Sequence, residues 1–280
     1  MYKGFYINLD RSPDRRIAIE ARLSHLNAAS RYERFPAMDG SSTGLTASVL
    51  TNSELGCLLS HYMLLESRTN RADHLHVIED DVVFANCAVP SVDQVVRSGL
   101  LDQYDILFTE TAVEMDIHWC REARRLYKNL VQRGETGIAS NVEFRLIPYL
   151  GGTTSYLVNH RSIELVCRLL GEELDRGARY PIDILIRNAA NEGKLRAKSL
   201  FPFVTSIQPE EFQSTARPDA EARNSRLAME LLRHSFYVDC DMNAALDLAV
   251  QRLTIPDGEV HQRLHGLLAG FIGSDLFQRH

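Results

Sequence analysis

The chain has 280 residues, enough for one large hydrophobic core or one core with a smaller appendage. Hydrophobic residues make up 45% and charged residues 24%, proportions that exclude disordered and collagen-like chains. Lys and Arg total 31 against 37 Asp and Glu, a formal charge of −6, so the broad basic face of a nucleic-acid-coating protein is not expected.

Tyr2–Leu9 reads as a short strand rich in aromatics. Pro13 suits the first turn of a helix over Arg15–Leu26, where Ile17, Ile19, Leu23 and Leu26 recur at helical spacing. Arg31–Phe35 is a second strand, followed by Pro36–Gly40 and a polar loop over Ser41–Ser53. Thr51 and Glu54 have the form of a capping box. The helix they open carries Leu55, Leu58, Leu59, Tyr62 and Leu65 on one face, with Cys57, Met63 and Leu64 on others, so burial on more than one side is expected.

Leu75–Ile78 is a strand that runs straight into three acids and then Val82–Phe84. Tyr104–Thr109, Phe144–Tyr149 and Ser155–Val158 are further strands, the last two separated by Gly151-Gly152. Ser162–Leu170 and Ile182–Asn191 are helical, and Ala197–Phe203 is a late strand. This alternation predicts an α/β sandwich around a largely parallel sheet. After about Pro218 the composition shifts to Ala, Leu and Arg. The division expected is a main domain over 1–217 and a helical subdomain over 218–280.

The five cysteines are scattered and form no C-x-x-C pair. That pattern argues against a disulfide framework or a cysteine zinc site and for a reducing compartment. The N-terminal stretch lacks the apolar core of a signal peptide, and no run approaches the ~20 apolar residues of a membrane span. A cytoplasmic location is therefore the expectation.

Glu79-Asp80-Asp81 carries the most chemistry. Three acids at the end of an apolar strand repel one another. A hard divalent cation relieves that repulsion and prefers oxygen ligands. In extended backbone Glu79 and Asp81 point to one side and Asp80 to the other. Glu79 and Asp81 could thus share a site while Asp80 meets a different group, such as a ribose hydroxyl. A phosphatase with a D-x-D nucleophile motif is disfavoured, because the first position here is Glu79. His74 and His76 flank the same strand and read as structural.

Four blocks in order now carry a resemblance: Ile7–Arg11 with Asp14-Arg15-Arg16, Phe35–Gly40, Glu54–His61, and Val77–Val82. Gly151-Gly152 with Tyr156–Val158, and Pro181-Ile182-Asp183, add two weaker blocks. Over roughly residues 1–215 the chain resembles glycosyltransferase family 25, the lipooligosaccharide and collagen galactosyltransferases. The resemblance implies a GT-A type nucleotide-sugar fold and an inverting transfer from a UDP-hexose, commonly UDP-galactose. It also implies a divalent metal, Mn²⁺ or Mg²⁺, with a lipooligosaccharide or related glycan as acceptor.

On that resemblance Asp81 is the direct metal ligand with Glu79 in support. Asp80 meets the ribose, or the metal through water. Asp183 is the general base, with Glu110 as the alternative. Asn8, Asp10, Arg11 and Arg15 lie where the nucleotide is expected. Asp39, Gly40, Gly56, Ser60 and His61 fall near the donor, and Gly151 and Gly152 leave room for its sugar ring. No histidine follows Asp183 before His234, so Gln208 or water is expected to complete the metal shell. A catalytically inactive UDP-sugar-binding module is the competing reading. Arg223, Arg226, Arg233, Arg252 and Arg263, with the apolar LLAGFIG segment, make the tail either a cap on the main domain or a peripheral contact with the inner membrane leaflet.

Overall fold

The computed structural model describes residues 1–43, 48–114, 116–133, 139–208 and 220–241. Strand β1 (Tyr2–Asn8) leads through helix α1 (Pro13–His25) to β2 (Tyr32–Pro36) and α2 (Asn52–Glu66). Then come β3 (His74–Glu79), β4 (Val82–Phe84), α3 (Ala88–Arg97), β5 (Ile106–Phe108) and α4 (Ile117–Leu130). A hairpin of β6 (Val131–Arg133) and β7 (Ala139–Val142) precedes β8 (Arg145–Pro148) and β9 (Ser155–Val158). The chain continues through α5 (Ile163–Asp175), α6 (Ile182–Asn191), β10 (Ala197–Phe201), β11 (Thr205–Ile207) and α7 (Ala220–His234).

Seven strands form one sheet in the order β2-β1-β3-β9-β5-β10-β8. Five of them run one way, while β9 and β8 run against their neighbours. The expected parallel character is therefore interrupted by β9, which sits antiparallel between β3 and β5. That insertion matters for the site. It brings the residues before β9 against the ends of β3 and β5.

Strand alternation sorts the apolar side chains onto two faces. Phe5, Ile7, Leu75, Val77, Ile106, Phe108, Tyr156 and Val158 share one cluster with residues of α2, α5 and α6. Tyr6 and Ile78 pack with Ile19 and Leu23 of α1, and Leu107, Leu157 and Leu200 pack with Val92 and Val95 of α3. The result is the expected α/β sandwich. In α2, Leu58, Leu64 and Leu65 are wholly buried, each contributing roughly 1.5–3 kcal/mol. Thr51 and Glu54 form both halves of the capping box.

Two helices fall outside the predicted elements. The sequence of α3, AVPSVDQVVR, is rich in β-branched residues and holds a proline, so its propensity is poor. Tertiary packing of Val89, Val92 and Val95 holds it. Helix α4 packs with α7 on a separate cluster that includes Tyr127, Phe201, Phe203, Leu232 and Phe236. The expected tail beyond Asp241, including LLAGFIG, lies outside the described residues. No helix among the described residues is long and apolar enough to cross a membrane.

His76 is fully buried, with Tyr32 Oη 2.6 Å from Nδ1 and Ser155 Oγ 3.0 Å from Nε2. Burial drives its pKa down to about 3, so it is a neutral core residue, as expected.

The loop after β2 is joined to α2 by glycines. A Cβ on Gly40 would overlap the Asn52 carbonyl oxygen and lie 2.8 Å from the Gly56 nitrogen. A Cβ on Gly56 would come within 2.7 Å of the Met38 oxygen. Ser60 Oγ completes the joint, accepting from the Met38 N–H at 2.8 Å and donating to the Gly56 carbonyl at 2.6 Å. Gly40→Ala is expected to cost roughly 2–3 kcal/mol in urea unfolding, because backbone has to move. Gly193 has open space but a φ of +71°, so Gly193→Ala is expected to cost only about 1 kcal/mol.

Candidate functional site

The co-directional strands β1, β3 and β5 end at one edge of the sheet. The strand ends and the loops leaving that edge carry Asn8, then Glu79-Asp80-Asp81, then Thr109-Glu110-Thr111. This is the position where ligands collect in open α/β sheets.

The side-chain period of two divides the three acids. Glu79 turns toward α2. Its Oε1 accepts from Thr153 Oγ1 at 2.7 Å and lies 3.6 Å from His61 Nε2. Burial raises the Glu79 carboxyl, but His61 and Thr153 outweigh it and hold the pKa below the usual value. Asp80 turns toward α1, accepting from Asn8 Nδ2 at 2.7 Å and pairing with Arg15 at 3.2 Å. Burial raises Asp80 overall, against the pull of Asn8 and Arg15.

Asp81 sits in the turn between β3 and β4. The residue as a whole is only partly buried, but its Oδ1 is enclosed and has no hydrogen bond. Desolvation pushes its pKa up to about 8, with repulsion from Glu79, Asp80 and Glu110 adding to it. Gln208 meets Asp81 through the backbone, its N–H donating to the Asp81 carbonyl at 3.1 Å.

Cys57 Sγ, His61 and Glu79 offer three ligand atoms within 4.8 Å of one another. No other trio of His, Cys, Asp and Glu among the described residues converges in this way, so the three successive acids do not form one cage. His61 is 1% exposed, and its Nδ1 is 2.7 Å from Tyr156 Oη. That contact aims Nε2, which has no hydrogen-bond partner, toward Glu79. Sulfur, nitrogen and oxygen together suit a softer divalent ion than the all-oxygen environment of Asp81.

Glu110 is 2% exposed, and neither of its oxygens is hydrogen-bonded. Burial raises its pKa, with Arg233 working in the opposite direction. Arg233 comes from α7, is 4% exposed, and places Nε 3.6 Å from Glu110 and Nη2 2.5 Å from Glu230. Burial opposes its charge, yet Glu110, Glu230, Asp81 and Glu79 hold it ionised.

The Gly151-Gly152 turn crosses the same edge, and its φ values of +149° and +90° lie in the range that favours glycine. Thr111 pins it, accepting from the Leu150 N–H at 2.8 Å and donating to the Gly151 carbonyl at 3.1 Å. A Cβ on Gly151 would lie 3.4 Å from Asp183 Oδ2, and one on Gly152 would lie 3.3 Å from Arg233 Nη1. Asp183, in the first turn of α6, also accepts from the Ile184 N–H at 2.8 Å.

The remaining predicted residues lie near α1 and along the loop after β2. Arg34 donates to Asn8 Oδ1 at 3.1 Å and pairs with the exposed Asp10 at 2.5 Å. Arg11 pairs with Asp39, whose carboxylate also caps Ser41. Gly40, Gly56 and Ser60 belong to the loop–helix joint. His234 Nδ1 lies 2.9 Å from Ser206 Oγ.

Arg34, Thr153 and Glu230 lie outside every sequence motif, and Arg233 stands only among the arginines of the tail. Thr153 adjoins the glycine pair and was the most findable. Arg233 was read as part of a basic tail that either capped the main domain or faced a membrane. Its burial corrects the second view for this residue.

A family model described as glycosyltransferase family 25 (LPS biosynthesis protein) matches residues 1–186. The chain belongs to this family. The match is shorter than the expected span to about residue 215 and ends just past Asp183, so the family 25 region excludes α7. No curated protein matches the chain. Among solved structures, the galactosyltransferase LgtC in complex with donor and acceptor sugar analogues is similar, at 11% identity over 93% of this chain and 99% of that one. Its TM-score is 0.36, too low for any functional argument.

The raised Asp81 carboxyl has a thermodynamic consequence. The folded state binds this proton more tightly than the unfolded state. Its contribution to the stability of metal-free protein is complete below the ordinary value of 3.8 and is lost as pH rises toward about 8. Asp81→Asn removes the penalty. The variant should gain roughly 1–3 kcal/mol on wild type between pH 5 and pH 8 in EDTA, measured by urea unfolding. Parallel pH dependences would contradict the burial of an ionisable Asp81.

Proposed function

We propose that this family 25 glycosyltransferase has a GT-A type site and transfers a hexose, with galactose favoured, from a UDP-sugar to a lipooligosaccharide or related cell-surface glycan, with inversion at the anomeric carbon. The observation that supports this most is the enclosed, unpartnered Asp81 oxygen amid repelling acids at the strand edge. A divalent cation answers both the missing partner and the repulsion. Asp81 would hold it, with Glu79 in support, and the oxygen donors suit Mn²⁺ or Mg²⁺. Such an ion supplies Lewis-acid neutralisation of the leaving diphosphate.

The chain's own residues do the rest. Asp183 receives the proton of the acceptor hydroxyl, and its Oδ2 faces the side-chain-free Gly151. Asn8 holds Asp80, which is read here as the ribose contact. Arg15 is partly exposed beside Asp80 and is read as a phosphate contact, with Asp10 and Arg11 nearer the mouth. His61 and Tyr156 hold Glu79 in position from the α2 side. Peripheral association with the inner leaflet of a membrane belongs to this reading through the acceptor.

Wild-type protein with Mn²⁺ is expected to consume UDP-galactose by transfer or slow hydrolysis, and EDTA should abolish it. Asp81→Ala should lower kcat/KM by roughly 10³-fold with the fold retained by circular dichroism. Full metal-dependent activity in Asp81→Ala would reject the proposal. Asp183→Asn should lower kcat by roughly 10²–10⁴-fold while UDP still binds by calorimetry. UDP binding without turnover of any nucleotide sugar would instead favour a binding module.

A further inference from the structure

We propose that Arg233, delivered by α7 from outside the family-matched region, is a substrate-binding residue that meets the diphosphate of the donor. This rests on the nucleotide-sugar reading above and names a residue for its leaving-group side.

Arg233 is an expensive residue to keep where it is. A guanidinium presents five donors in a fixed fork, and burial without aligned partners is costly. Arg233 is 4% exposed, yet Nε and Nη2 make no hydrogen bond. Its contacts with Glu110 at 3.6 Å and Glu230 at 2.5 Å are pairings by charge, not aligned bonds. Glu110 on the facing side is equally unsatisfied at both oxygens. A merely structural ion pair would be expected to use the fork, because unaligned buried charges cost more than they return. Planar forks of this kind match phosphate oxygens in pairs.

The second observation is the glycine turn. Gly151 lies against Asp183, and Gly152 lies against Arg233 Nη1. The turn therefore meets a carboxylate at one glycine and a cation at the next. An inverting displacement needs that polarity. The acceptor oxygen bonds to the anomeric carbon on one side, giving its proton to Asp183. The bond from that carbon to the phosphate oxygen breaks on the other side, and its electron pair leaves with UDP. A cation on the second side meets the charge that develops there. Glu110 and Glu230 serve as counter-ions that keep the guanidinium charged and in place.

Isothermal calorimetry with UDP and with uridine, both in the presence of Mn²⁺, tests this directly. Arg233→Met is expected to weaken UDP binding by about 10–100-fold and to leave uridine binding within about twofold, since only UDP carries the diphosphate. Arg233→Lys, which keeps the charge and loses the fork, should fall between. Should Arg233→Met fail to fold, the double variant Glu230→Gln/Arg233→Met removes one charge of each sign and takes its place. Arg125→Ala, on α4 and 78% exposed, should bind UDP as wild type does. If wild type binds UDP and the Arg233 variants match it, the inference is overturned and the nucleotide-sugar reading stands. Equal losses for UDP and uridine also overturn it, because they indicate a structural role. If wild type binds no UDP, the nucleotide-sugar reading itself fails.

Discussion

Mutual repulsion among crowded carboxylates is the constraint around which this sheet edge is organised. Glu79, Asp80, Asp81 and Glu110 all oppose one another's ionisation or that of a neighbour. Each is handled differently. Asp80 is bound by Asn8 and Arg15, Glu79 by Thr153 and His61, and Glu110 by the charge of Arg233. Asp81 and Glu110 both keep enclosed oxygens without a hydrogen bond, and Glu110 has Arg233 3.6 Å away to offset its charge. That contrast is the ground on which a cation is proposed at Asp81.

The topology makes this arrangement achievable. Antiparallel β9 enters the sheet between β3 and β5. Its lead-in residues Gly151 to Thr154 therefore arrive at the end of the sheet where β3 and β5 leave. A sheet with β3 beside β5 would have no backbone to fill that place. The same turn needs positive φ at two successive residues, which explains the glycine pair without any appeal to the ligand. The proposed room for a sugar would be a second use of a conformation the backbone already demands.

The Gly40–Gly56–Ser60 joint illustrates how a family block can act at one remove. These residues hold the Asp39 loop against α2 by backbone contact. The same helix then presents Cys57 and His61 to Glu79. Their sequence spacing records a packing requirement, and the packing sets where Cys57 and His61 end up.

Much of the sandwich was legible in one dimension. The capping box at Thr51 and Glu54, the helix over Ile182–Asn191 and the strand over Ser155–Val158 all appear where local pattern places them. The opposite facing of Glu79 and Asp80 also followed from strand alternation, because a period of two is a property of the chain itself. Helix α3 was not legible, since its β-branched residues are helical only through what they pack against. Nor was Arg233, which is separated from Glu110 by 123 positions and meets it only because α7 folds back onto α4 and β10. Local pattern determines which elements form and which way their side chains alternate. Long-range packing alone decides which charges are brought out of water together, and it is that shared desolvation which raises the carboxyls of Asp81 and Glu110 above their ordinary values.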